Sequence, residues 1–227
     1  MLRTKYEKAP IVIGIGGSHS NIGKTTLATA LLKILKDKGR WGAIKYTKTA
    51  FFTSVIYDKS ILNQKNKDTQ RLLNAGAEDV LWVQSPKDEL NEVLSIAINR
   101  LSYLDGIIVE GNSAIEFLKP DIVIFIKGID KKLKSSAERI LSLADIVLEK
   151  ASLNFLLKNV DNLIEMIEDK LQRKQIERLL KRFSIENTIT CSNARKIAED
   201  IGVSYIEIGK MANDLKIKIK NCELGCF

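Results

Sequence analysis

Gly17-Ser18-His19-Ser20-Asn21-Ile22-Gly23-Lys24-Thr25 lies between an apolar run, Ile11-Val12-Ile13-Gly14-Ile15, and an amphipathic stretch from Thr25 to Lys38. That order decides the fold. A short apolar run ending in glycines suits a buried parallel strand. The stretch after the loop places Leu27, Ala30, Leu31, Ile34 and Leu35 on one helical face, and Gly39 stands where a terminating glycine is expected. Strand, glycine-containing loop and helix in this order bring main-chain N–H groups and a helix N-terminus to one point, an arrangement that holds polyphosphate. Within it Gly23 allows close approach of the backbone, Lys24 reaches the outer phosphates, Thr25 offers a hydroxyl to Mg²⁺, and Thr26 offers one to the inner phosphate. The phosphate-binding set expected here is Gly17, Ser18, His19, Ser20, Asn21, Ile22, Gly23, Lys24, Thr25 and Thr26. The usual first glycine of such loops is Ser18 here, with Gly17 just before it. His19, the single histidine, reads either as a group facing phosphate or as an exposed loop residue.

Working outward, Trp41 to Tyr46, Val80 to Val83, Gly106 to Val109, Asp121 to Ile126 and Asp145 to Leu148 read as further strands. Thr69 to Ala75, ended by Gly76, Asp88 to Leu101 and Ser135 to Leu143 read as helices between them. Thr47 to Lys67 is polar and irregular. Alternating strands and helices predict an α/β fold, a mostly parallel sheet covered on both faces, with ligands at the carboxyl ends of the strands. Three segments are expected: a nucleotide-binding domain over 1–151, a charged helical connector over 152–185, and a small helical unit over 186–227.

The chain of 227 residues carries a formal net charge of +8, which favours anionic partners. No apolar run is long enough to span a membrane. The charged start, Met1 to Pro10, does not have the pattern of a secretory signal, so a cytoplasmic location is expected. Three cysteines do not make a disulfide scaffold.

Carboxylates complete the candidate site. Glu110 ends the apolar run Ile107-Ile108-Val109 and is placed to hold Mg²⁺ or orient water. Asp68 reads either as a second metal carboxylate or as a helix N-cap. Lys45 ends its strand at the ligand edge, facing phosphate or solvating that edge. The expected catalytic group is Lys24, Glu110 and Asp68, with Mg²⁺ on Thr25, Glu110 and Asp68.

The ordered set Gly42-Ala43-Ile44-Lys45, Lys67-Asp68-Thr69, Ala75-Gly76-Ala77 and Val109-Glu110-Gly111, following the phosphate loop, resembles the molybdopterin-guanine dinucleotide biosynthesis protein B family from Ile11 to Ile126. That family has a histidine where this chain has Tyr46. The resemblance implies a P-loop fold of the dethiobiotin-synthetase-like class, GTP binding with slow hydrolysis, and a homodimer. It also implies a partner protein in attaching a nucleotide to molybdopterin. An ATP-dependent ligase of the dethiobiotin synthetase class is the alternative, because Gly17 to Thr25 has the length of the loop in those enzymes and Val109-Glu110-Gly111 also resembles them, so the nucleotide is GTP or ATP. Ala144 to Lys150 resembles the strand that leads to the guanine-reading motif of other P-loop proteins, matched only at Lys150.

Near the C-terminus, Ala198, Gly202 and Ile208 have the spacing of a helix-turn-helix. A nucleotide-sensing DNA-binding regulator is therefore an alternative, disfavoured by Glu207 and the shortage of basic residues at the start of the second helix. Cys191, Cys222 and Cys226 could hold zinc or an Fe–S cluster, or be ordinary thiols.

Overall fold

A computed structural model describes residues 9–129 and 133–221, the side chains of 154–156 excepted. Cys222 and Cys226 lie outside the described residues. The described chain falls into two compact units, one ending at Met166 and one beginning at Ile167.

The first unit is built on a seven-stranded sheet of β1 (Ile11–Gly17), β2 (Trp41–Lys48), β3 (Ser54–Ile56), β4 (Val80–Ser85), β5 (Gly106–Glu110), β6 (Ile122–Lys127) and β7 (Ile146–Glu149). Their order is β3-β4-β2-β5-β1-β6-β7. All neighbours pair in parallel except β3 with β4. The helices are α1 (Lys24–Leu35), α2 (Lys59–Leu62), α3 (Asp68–Asn74), α4 (Leu90–Arg100), α5 (Asn112–Leu118), α6 (Ser135–Ser142) and α7 (Leu153–Lys158), with a 3-10 turn at Lys150–Ser152. β1 and β5 are fully apolar at their centres because both faces of the sheet are covered, as parallel strands require. On one face Ile44, Val83, Ile107 and Val109 pack with Val93, Leu94 and Ala97 of α4. Val123 and Phe125 pack with Ile115 of α5 and with Ala137 and Ile140 of α6. On α1, Leu27, Leu31, Leu32 and Leu35 are fully buried.

Two carboxylates pin strand starts. Asp121 Oδ2 accepts from the Val12 N–H at 2.9 Å, and Asp145 Oδ2 accepts from the Val123 N–H at 2.9 Å. Gly106 is required by packing, since a Cβ there would lie 2.3 Å from the Trp41 ring on the neighbouring strand.

Several sequence expectations need correction. α1 ends at a right-handed Lys36, so Gly39 does not terminate it. Gly39 instead makes room for Asp105, whose Oδ2 would sit 3.0 Å from a Cβ there and accepts from the Arg40 N–H. The stretch read as irregular contains the antiparallel edge strand β3 and the one-turn helix α2, capped by Asp58 through the Ser60 N–H at 2.8 Å. α5 has no counterpart in the sequence reading. Gly76, with φ 103°, does end α3 as expected.

The second unit contains the later part of α8 (Val160–Phe183), then β8 (Thr188–Thr190), α9 (Cys191–Ile201), α10 (Tyr205–Asp214) and β9 (Lys218–Lys220). β8 and β9 pair in parallel. Thr190 caps α9 through the Asn193 N–H, and Ser204 caps α10 through the Glu207 N–H, both at 3.2 Å. Gly202, with φ 80°, turns the chain between α9 and α10. Ile197, Ala198, Ile208 and Ala212 are buried in a small core with Ile176 and Leu180 of α8. Among the described residues, no helix is long and apolar enough to cross a membrane.

Candidate functional site

The loop between β1 and α1 begins at the sheet's carboxyl edge. Ser18 is buried there: its N–H donates to the Ile126 carbonyl at 3.0 Å, and its Oγ accepts from the Gly128 N–H at 3.0 Å. Two left-handed residues bend the loop, Asn21 with φ 60° and Gly23 with φ 115°. At Gly23 a side chain is excluded by conformation and by space, because a Cβ would meet Leu153 Cδ2 at 2.6 Å and Lys150 Nζ at 3.3 Å. The segment after β7 therefore closes over the head of α1. The Lys24 ammonium donates to the His19 carbonyl at 2.9 Å, bridging the loop across its mouth. His19 is exposed, with Nδ1 2.6 Å from the Ser20 carbonyl.

A cleft of about 450 Å³ opens in front of this loop, lined among others by Lys24, Thr25, Thr26, Lys45, Asp68 and Glu110. Glu110 is the buried charge at its floor, 3% exposed. A buried carboxylate must be paired, and this one is paired from two sides. Thr25 Oγ1 donates to it at 2.8 and 3.0 Å, and Lys45 Nζ donates to Oε1 at 2.6 Å. Lys45 Nζ also reaches Asp68 Oδ2 at 2.8 Å. Lys45 and Glu110 are direct partners in the β2–β5 register, so the sheet itself sets them side by side. Asp68 comes from the first residue of α3. The N-cap of that helix is Lys67, so Asp68 is not the cap, and its carboxylate turns to Lys45.

The charges tune one another. Burial, aided by the Lys45 charge, holds the Lys24 ammonium below the ordinary lysine value against the opposing pull of Glu110 and Asp68. Burial also acts to lower Lys45, but the Glu110 charge and hydrogen bonds to Asp68 and Glu110 outweigh it and hold Lys45 above that value. For Asp68, partial burial favours the neutral acid, yet the Lys45 hydrogen bond and charge win and keep it below the usual carboxylate value.

The donor set fits a hard cation. Two carboxylates converge on a single positive charge, now the Lys45 ammonium, with the Thr25 hydroxyl bonded to one of them, and oxygen ligands of this kind suit Mg²⁺. Among the described residues no group of three His, Cys, Asp or Glu side chains forms a metal centre of its own. Cys191 starts α9 in the second unit. The expected zinc or cluster site cannot be followed further, since its other two cysteines lie outside the described residues.

Two residues at the site escape the sequence reading. Arg71 of α3 donates through NH2 to Thr26 Oγ1 at 3.0 Å and through NH1 to Asp68 Oδ1 at 3.4 Å. Asn112, at the start of α5, accepts from the Gly17 N–H at 3.0 Å and donates to the Gly17 carbonyl at 2.9 Å. Neither belongs to a local motif. A basic residue one turn after Lys67-Asp68-Thr69 is the only signal that could have found Arg71.

No curated protein matches this sequence. Among solved structures, LpxK from Aquifex aeolicus in complex with ATP is similar at 17% identity and a TM-score of 0.41, over 63% of this chain and 49% of that one. The match thus spans about half the length of that protein. A putative plasmid partition protein from Borrelia burgdorferi B31 bound to AMPPNP is similar at 14% identity and a TM-score of 0.39, over 71% of this chain and 99% of that one. HypB from Helicobacter pylori in complex with nickel is similar at 14% identity and a TM-score of 0.38, over 72% of this chain and 89% of that one. Scores this low carry no argument about ligands. The family evidence is of a different kind: residues 12–146, more than half of the chain, match the model for molybdopterin guanine dinucleotide synthesis protein B, and the chain belongs to that family.

Proposed function

We infer that this protein binds a nucleoside triphosphate as its Mg²⁺ complex in the cleft before α1, with GTP the nucleotide and slow hydrolysis its reaction. In this reading it acts as an accessory protein, a homodimer working with a partner protein, when a nucleotide is attached to molybdopterin. Family membership supports nucleotide binding and a place in molybdenum cofactor biosynthesis. The observation that carries the site assignment is the convergence of Glu110 and Asp68 on one cation, with the Thr25 hydroxyl bonded to Glu110 at the head of α1.

The residues divide the work as follows. Main-chain N–H groups of His19 to Lys24 and the N-terminus of α1 receive the phosphates. Lys24 leaves the His19 carbonyl for the outer phosphate oxygens, exchanging a neutral acceptor for a charged one. Thr26 and Arg71 face the inner phosphate. Thr25, Glu110 and Asp68 hold the metal, and Glu110 orients the attacking water. When bound, Mg²⁺ supplies charge neutralisation at the phosphate oxygens. Nothing among the described residues favours the ligase or DNA-binding alternatives over this reading.

Calorimetric titration with GTP and ATP, each with and without Mg²⁺, tests it. GTP with Mg²⁺ should bind tightest, and equal affinities for GTP and ATP would remove the guanine assignment. Lys24→Ala should weaken triphosphate binding by about 100-fold, the scale of losing a charge-assisted contact. An unchanged affinity would defeat the assignment of the loop.

A further inference from the structure

We propose that Lys45 is a resident cation which keeps the metal position filled until the nucleotide arrives with its own Mg²⁺, so that metal and nucleotide enter as one complex. The inference rests on the functional reading above and adds an order of binding to it.

The geometry supplies the argument. The carboxylate oxygens a metal would use are already engaged. Glu110 Oε1 is 2.6 Å from Lys45 Nζ, Asp68 Oδ2 is 2.8 Å from it, and Thr25 Oγ1 is committed to Glu110. Free Mg²⁺ is strongly hydrated and gives up water reluctantly. To enter alone it must shed water and expel the ammonium, leaving Mg²⁺, Lys45 and Lys24 crowded against two carboxylates. Repulsion between cations at such distances is large in a partly buried site. A triphosphate changes the balance, because it brings several negative charges for Lys24 and Lys45 to face. The Lys45 backbone is fixed by pairing with Glu110, but its four-carbon stem lets the ammonium swing from carboxylate to phosphate. A merely structural ion pair would fill the same space without controlling metal entry.

Manganese, read by the loss of its free-ion paramagnetic resonance signal, tests the proposal on the full, nucleotide-free chain. Wild-type protein should retain little Mn²⁺. Lys45→Met should bind Mn²⁺ about tenfold more tightly or better, because the carboxylates lose their cation. Lys45→Arg should behave as wild type. Adding Glu110→Gln to Lys45→Met should erase the gain. Wild-type protein that binds Mn²⁺ as tightly as Lys45→Met overturns the proposal, as does a gain that survives Glu110→Gln. If Lys45→Met loses its helical circular dichroism, Lys45→Gln takes its place. Tight Mn²⁺ binding by nucleotide-free wild type alone is also fatal. A fluorescent GTP analogue titrated into the same wild-type sample separates the two claims. Absence of nucleotide binding sinks the functional reading, whereas the manganese comparison judges the role of Lys45.

Discussion

The Asn112 side chain closes a two-bond clamp on the Gly17 main chain, accepting from its N–H at 3.0 Å and donating to its carbonyl at 2.9 Å. Gly17 is where β1 gives way to the phosphate loop, and Asn112 follows the glycine after Glu110. One amide therefore ties the loop's entry to the end of the strand that carries the buried carboxylate. Asn112→Ala leaves the buried Gly17 N–H and carbonyl without these partners, at a cost of about 1–3 kcal/mol. The urea midpoint should fall accordingly, and triphosphate affinity should fall with it. Asn112→Asp should be no better, since its second oxygen would face the Gly17 carbonyl. A midpoint unchanged in both variants would show that the clamp contributes nothing.

Arg71 stands between Thr26 and Asp68 at the mouth of the cleft. If the inner phosphate lies at Thr26, its guanidinium contacts that phosphate. Arg71→Ala should then weaken triphosphate binding about tenfold, and Arg71→Lys should recover only part of it, because the planar fork is lost. Calorimetry with the same nucleotide provides the check. Wild-type affinity in Arg71→Ala would place the arginine outside the contact.

Tyr103 offers a spectroscopic prediction away from the site. Partial burial and a hydrogen bond from its hydroxyl to Asp79 push its phenol up to about 12. Burial acts against the phenolate, and the Asp79 charge repels it. Folding raises this pKa above the unfolded value of about 10, so the stabilisation is complete below pH about 10 and is lost as pH rises towards 12. An ultraviolet titration should show a late phase to which Tyr46, held up by its own burial, also contributes, and Tyr103→Phe should take one tyrosine out of that phase. Titration of all tyrosines near pH 10 would contradict it.

Much of the fold is legible in the sequence wherever a segment is long and regular. Ile11 to Gly17 and Leu27 to Leu35 carry their strand and helix periodicities in their own residues, and the phosphate loop is a local pattern. Glu110 is legible for the same reason, as the polar end of an apolar strand. Arg71 and Asn112 are not, because their partners lie 45 and 95 residues away. Asp68 left two readings open in sequence, since a carboxylate beside a helix start serves as cap or ligand equally well. In the structure Lys67 holds the cap position and the Asp68 carboxylate pairs with Lys45, a partner 23 residues away. β3 and α2 are too short to show a period, and the role of Gly39 is hidden from the sequence because its neighbour Asp105 comes from a distant loop.

Trp41 lies opposite Gly106, and counting along both strands in step brings Lys45 opposite Glu110. The backbone ladder thus acts as a measuring rule for the site. A single-residue deletion in either strand would preserve every charge in the chain yet turn one of the two groups to the opposite side of the sheet. The chemistry of the cleft therefore limits how these two strands can vary in length, while the polar loop beyond β2 is free of that limit.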